Sequence, residues 1–102
     1  MTIIKGVTDL ETEIIKNILS PFLKKYHFYF FGSRTKANFR KLSDLDILIK
    51  GSEEANPDDI DNLKHLFDNS SLPYIVNIVD YHRITPEFYE LIKSDLKLIE
   101  MN

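Results

Sequence analysis

The first part of the chain shows the apolar spacing of a helix. Between residues 8 and 26, apolar residues recur every three to four positions, as they do along one face of a helix. Thr8 and Glu11 form the pattern of a capping box at its start. Pro21 cannot donate a backbone hydrogen bond, so we expect the helix to bend or break there. The predicted buried face comprises Leu10, Ile14, Ile18 and Phe22, with Ile15, Leu19 and Leu23 beside them.

Three later segments have the composition of strands. Residues 27–31 are aromatic and end at a glycine, residues 44–50 are apolar and end at a glycine, and residues 74–80 are rich in β-branched side chains. Residues 33–39 carry too few apolar residues for a long helix and predict a short helix or turn. Residues 96–99 form an apolar tail whose structure the pattern leaves open.

Two more helices are predicted from their start signals. Asn56-Pro57-Asp58 and Thr85-Pro86-Glu87 each combine a capping residue, a proline at the first helical position and an acid in the first turn. The order of elements predicts an α/β or α+β domain with a small sheet. The predicted buried residues are Ile60, Leu63, Leu66 and Phe67 in the first helix, and Phe88, Leu91 and Ile92 in the second.

The length, cysteine content and net charge of the chain exclude several classes of function. A chain of 102 residues with 43% hydrophobic residues fits one domain, and the absence of cysteine excludes thiolate chemistry and disulfides. A net charge of −3 argues against stable nucleic-acid binding, which depends on neutralising phosphates. No apolar run is long enough to span a membrane, and the start lacks the features of a signal peptide, so we expect a cytoplasmic protein with no membrane partner.

The charges are segregated along the chain. Residues 24–41 contain six cations and no acid, whereas residues 51–70 contain six acids and one lysine. The basic segment is too small for a long polyanion but suits a small molecule that carries phosphates.

A glycine turn lies within this basic segment, and a pair of acids follows it. Asp44 and Asp46 are separated by one residue at the start of a strand, so both carboxylates should point to the same face. Such a pair is stabilised by a divalent cation, and oxygen ligands favour Mg²⁺ or Mn²⁺. Gly32 and Ser33 follow a strand and precede a turn, where backbone amides and a hydroxyl suit a phosphate. Arg34 and Lys36 add positive charge to that turn. The combination indicates phosphoryl or nucleotidyl transfer.

The spacing of these residues resembles that of a known family. Gly32-Ser33, ten residues and then Asp44-Leu45-Asp46 is similar to the signature of nucleotidyltransferases of the DNA polymerase β type, specifically the minimal members called MNT proteins; residues 72–92 also resemble the family. The resemblance implies a small mixed sheet flanked by helices, with residues 1–102 as a single domain. It also implies that Gly32 and Ser33 hold the triphosphate of ATP, and that Asp44 and Asp46 are catalytic residues that bind the metal.

The third core strand departs from the family pattern. Members usually supply a third carboxylate there, but the matching position is Asn77, whose amide can ligate an ion through oxygen or contact the nucleotide and cannot accept a proton. Asp80 is the nearest acid and a further catalytic candidate. It lies three residues on, so a regular strand turns it to the other face, and only a bulge or strand end would bring it to the metal.

The resemblance favours an enzyme with a protein acceptor. It implies Mg²⁺-dependent transfer of AMP from ATP to a hydroxyl, with a tyrosine of a partner HEPN-domain toxin as the favoured acceptor and an antitoxin role. A second hypothesis is a weak or inactive module that neutralises an HEPN partner by binding. A third, transfer to a small molecule such as an aminoglycoside, lacks an acceptor domain in 102 residues. The sequence leaves self-association into a homo-oligomer open.

Overall fold

The first helix follows its local signals closely. The computed structural model describes residues 3–101, in which helix α1 spans Asp9–Leu19. The Thr8 hydroxyl accepts a hydrogen bond from the Glu11 amide, and the Thr8 amide donates to the Glu11 carboxylate, both at 3.1 Å. The helix ends where a short 3₁₀ turn, Ser20–Phe22, contains Pro21. The predicted capping box and the interruption are therefore confirmed.

The sheet has four strands and is mixed. Strand β1 spans His27–Phe31, β2 Leu45–Lys50, β3 Val76–Asp80 and β4 Lys97–Leu98, in the order β3-β2-β1-β4. Strands β2 and β3 are parallel, while β1 pairs antiparallel with both β2 and β4. The three predicted strands are confirmed, and the apolar tail supplies the fourth.

The two later helices begin at their predicted caps. Helix α2 spans Pro57–Asp68, and the Asn56 side chain accepts a hydrogen bond from the Asp58 amide at 2.8 Å. Helix α3 spans Pro86–Ile92, and the Thr85 hydroxyl accepts one from the Phe88 amide at 3.1 Å. Between β1 and β2 the chain forms a short 3₁₀ turn, Ser33–Thr35, as expected for this segment.

The two faces of the sheet are covered differently. Helices α1 and α2 pack on one face, over strand residues that include Phe28, Ile47 and Ile78. Helix α3 packs on part of the other face, where Phe31, Leu48 and Ile92 form a smaller cluster. Side chains alternate along each strand, so residues 46 and 77 share the face of α3. That face is only partly covered, which leaves room for a site.

Some predicted core residues are exposed. The predicted helix faces are wrong at four positions, which are exposed: Leu10 (75%), Leu23 (37%), Leu66 (42%) and Leu91 (77%). Periodicity defines an apolar stripe, but the sheet contacts only part of its width. In α1 the buried residues are Thr12, Ile15 and Leu19. The buried face is therefore rotated by about one residue from the predicted face, which was centred on Ile14 and Ile18.

Candidate active site

A glycine turn at the end of β1 forms one side of the candidate site. Gly32 has φ +84°, a conformation that other residues rarely adopt, and its carbonyl accepts a hydrogen bond from the Thr35 hydroxyl at 2.6 Å. A Cβ atom at Gly32 would collide with Oδ2 of Asp46. Glycine is therefore needed both for the turn and for the close approach of the Asp46 carboxylate.

The two predicted acids and Asn77 meet beside this turn. Asp46 lies opposite Phe31 on β1 and opposite Asn77 on β3. The amide nitrogen of Asn77 donates to Asp44 Oδ2 and to Asp46 Oδ1, each at 3.1 Å. The two carboxylate oxygens are therefore no farther apart than twice that distance. The structure brings Gly32, Asp44, Asp46 and Asn77 together, while Ser33 is exposed at the start of the adjacent 3₁₀ turn.

The Asp46 carboxylate is electrostatically strained. Partial burial raises its pKa above the usual value, and the neighbouring Asp44 charge raises it further, whereas the hydrogen bond from Asn77 lowers it. Asp44 is exposed to solvent. A cation beside Asp46 would relieve this strain.

Arg34 makes structural contacts that the sequence did not predict. Its side chain is buried, and its guanidinium donates to the backbone carbonyls of Gly6 at 2.9 Å and of Ser43 at 2.7 Å, with longer bonds to the carbonyls of residues 40 and 41. The guanidinium also lies 4.1 Å from the centre of the Tyr74 ring. These contacts hold the loop before Asp44 in place.

Lys36 remains at the surface near the turn. Its ammonium lies 3.6 Å from a carboxylate oxygen of Asp95, which belongs to the turn after α3. Both the high exposure of Lys36 and the length of this ion pair indicate a weak interaction. Lys36 can leave Asp95 at little cost and approach an anion.

Asp80 does not join the carboxylate pair. It is buried at the end of β3 on the face of α1 and α2, opposite to that of Asn77. Its two oxygens accept hydrogen bonds from the backbone amides of Ala55 at 2.8 Å and His82 at 3.0 Å. The register of β3 is regular up to Asp80, so no bulge turns this side chain toward the pair, and its hydrogen bonds fix the loop before α2.

The residues present fit a divalent cation. Across residues 3–101 no group of three His, Asp or Glu side chains converges as a metal site. An ion here would therefore bind the Asp44 and Asp46 carboxylates and take its other ligands from a substrate or water. Hard oxygen donors of this kind suit Mg²⁺, which usually binds proteins through one or two carboxylates plus substrate phosphates.

The sequence missed the contribution of the N-terminal segment. Gly6 and Arg34 exchange hydrogen bonds, with the Gly6 amide donating to the Arg34 carbonyl at 2.9 Å. A Cβ atom at Gly6 would lie 2.6 Å from the Arg34 Cβ, so only glycine permits this approach. The isolated glycine at position 6 was the available signal. In addition, a cleft of about 680 Å³ lies at the other end of the sheet, near Gly51, and contains none of the predicted site residues.

The fold and the site together define a class. The mixed sheet carries a glycine turn at the end of β1 beside two carboxylates at the start of β2. This arrangement suits a phosphate and a divalent cation and therefore favours a nucleotidyltransferase. Residues 13–102 match the family described as "Polymerase beta, Nucleotidyltransferase", and the chain belongs to this family of transferases. It is also 34% identical over 90 residues to the "Probable protein adenylyltransferase MntA" of Haemophilus influenzae, which covers 88% of this chain and 79% of that protein. Within the described part of the chain, no helix is long and apolar enough to cross a membrane.

Proposed function

We propose that the chain transfers AMP from ATP, with Mg²⁺, to a tyrosine hydroxyl of a partner HEPN-domain protein and thereby acts as an antitoxin. The acceptor oxygen attacks the α-phosphorus, the bond to the β-phosphate breaks, pyrophosphate leaves and the hydroxyl proton is lost. The carboxylate pair packed against Gly32 is the observation that supports this proposal. The relative named as a probable protein adenylyltransferase favours a protein acceptor.

Each residue of the site has a role in this proposal. Gly32 and Ser33 hold the triphosphate through the turn after β1, and Lys36 offsets its charge. Asp44 and Asp46 hold the cation, which would neutralise charge that develops on the phosphates. Arg34 keeps the loop before Asp44 in place.

Asn77 supports tyrosine as the acceptor. An amide cannot take the hydroxyl proton, and Asp80 is turned to the other face of the sheet. A site without a third carboxylate favours an acceptor that loses its proton readily. A tyrosine hydroxyl, with a pKa of about 10, is much more acidic than an aliphatic hydroxyl.

The proposal is tested by measuring the intact mass of the partner. The purified chain is mixed with MgATP and the product of its neighbouring gene, which we take as the candidate partner. We expect an adduct of one or more AMP groups that is absent with Asp44→Ala and present with the control Asp61→Ala, since Asp61 is an exposed acid of α2 on the far face. Replacing the modified tyrosine of the partner by phenylalanine should remove the adduct.

A second candidate function is neutralisation by binding alone. The absence of a third acid at position 77 favours it, because the amide bridge satisfies both carboxylates without any ion. A stable complex with no adduct, unaffected by Asp44→Ala, would establish binding alone and overturn the transferase proposal.

A further inference from the structure

The side-chain amide of Asn77 lies between the carboxylates of Asp44 and Asp46. Its amide nitrogen lies 3.1 Å from one oxygen of Asp44 and 3.1 Å from one oxygen of Asp46. A carboxylate only accepts hydrogen bonds, so the NH₂ group and not the carbonyl of the amide must face the pair. The amide thus contacts both acids at once, through carboxylate oxygens that a bound cation would also use.

This arrangement changes how the two acids are stabilised. Asp46 is partly buried and lies beside the Asp44 charge, and a pair of carboxylates on one face repel each other. The two hydrogen bonds from Asn77 offset that repulsion within the protein itself. An ion that enters between the carboxylates must first displace the amide.

We propose that Asn77 is a clamp that competes with the divalent cation for Asp44 and Asp46, so that the site binds metal weakly until a nucleotide arrives with it. This inference rests on the proposed metal role of the two acids. Asn77 is a positioning residue: it stabilises the metal-free site and lowers its affinity for the ion. The phosphates of a bound nucleotide add oxygen ligands, which compensate for the displaced hydrogen bonds.

Two measurements with opposite expected signs test the clamp. Mn²⁺ binding without nucleotide or partner is measured by calorimetry, and thermal unfolding is measured without metal, for the wild type, Asn77→Ala and Asn77→Asp. Asn77→Ala should unfold at a lower temperature yet bind Mn²⁺ roughly three- to tenfold more tightly, because one or two hydrogen bonds no longer have to be broken. Asn77→Asp should bind Mn²⁺ more tightly still and be the least stable of the three without metal.

Val79 offers a matched control. It lies on the same strand and face as Asn77 and packs under α3. Val79→Ala should lower the unfolding temperature and leave the Mn²⁺ affinity unchanged, which separates loss of the clamp from general loosening of β3.

Each alternative result is decisive. Weaker Mn²⁺ binding by Asn77→Ala would show that Asn77 is a ligand, and unchanged binding would show that it does not compete; either overturns the clamp. If neither the wild type nor any variant binds Mn²⁺, both the clamp and the proposed metal role of Asp44 and Asp46 are overturned. If the Mn²⁺ affinities follow the predicted order but the partner gains no AMP adduct in the mass measurement, the clamp is supported and only the proposed transfer is overturned.

Discussion

Replacing Arg34 should loosen the loop that carries Asp44. Arg34 is 5% exposed, and its guanidinium donates to the Gly6 carbonyl from one side and to the Ser43 carbonyl from the other. Ser43 directly precedes Asp44, so this side chain fixes the start of the candidate site to the N-terminal segment. We consider Arg34→Met, which keeps much of the apolar stem, and Arg34→Lys, which keeps the charge.

The expected loss of stability follows from the contacts. Hydrogen bonds to charged groups contribute about 1.5–3 kcal/mol each, and a cation over an aromatic ring adds about 0.5–2 kcal/mol, although such contributions do not simply add. Taking the two short carbonyl contacts and the Tyr74 ring, we expect Arg34→Met to cost about 3–5 kcal/mol. The total free energy of unfolding of a domain of this size is about 5–15 kcal/mol. The melting temperature should fall by about 15–30 °C.

Arg34→Lys distinguishes a structural role from a phosphate-binding role. A lysine ammonium cannot reproduce the planar fork that reaches carbonyls on two sides, so we expect about half the loss of the methionine variant. The assay is urea unfolding, compared at the same dependence of the free energy on urea, and ATP binding in the presence of Mn²⁺ is measured on the same samples. If the free energy of unfolding of Arg34→Met lies within about 1 kcal/mol of the wild-type value, the guanidinium contacts do not stabilise the loop as we infer. A lysine variant that keeps its stability and loses only ATP affinity would show that Arg34 binds phosphate.

Three further changes probe the site and its support. Gly32→Ala should cost about 1–3 kcal/mol and weaken Mn²⁺ binding, because φ is +84° and the new methyl group would push Asp46 aside; unfolding and calorimetry measure both. Asp80→Ala should lower the free energy of unfolding by about 2–4 kcal/mol, because it leaves the buried amide of Ala55 without its acceptor. The Mn²⁺ affinity should stay unchanged, and a weaker affinity would indicate that Asp80 contributes to the metal site. Tyr26→Phe should cost about 1 kcal/mol in urea unfolding at pH 7, because the hydroxyl donates to Asp59 at 2.6 Å. That hydrogen bond lowers the pKa of Asp59. Its contribution to the free energy of unfolding is therefore complete above a pH of about 4 and is lost as the pH falls through the lowered pKa. If Tyr26→Phe lowered the free energy of unfolding equally at pH 7 and in strong acid, this explanation would be contradicted.

Features set by local chemistry were predictable from the sequence. The capping side chains of Thr8, Asn56 and Thr85 act within three residues, and each begins its helix as expected. The opposite orientations of Asn77 and Asp80 likewise follow from the alternation of side chains along one strand.

Features set by contacts between distant segments were not predictable. The role of Arg34 depends on a carbonyl 28 residues away, and no local pattern distinguishes a buried guanidinium from one that faces a phosphate. The exposure of Leu10 and Leu91 depends on how far the sheet extends beneath each helix. The position of the Asn77 amide between two acids required the pairing of β2 with β3.

The pairing of Asp46 with Phe31 also has a consequence for folding. Strands β1 and β2 are joined by 13 residues, a connection long enough to allow other alignments. A shift of one residue would turn Asp46 inward against α1 and α2 and bring Leu45 and Ile47 outward. Because an unpaired carboxylate is costly in an apolar interior, that misfolded alignment is disfavoured. The acid that we assign to the metal therefore also helps to select the correct strand register before any ligand is present.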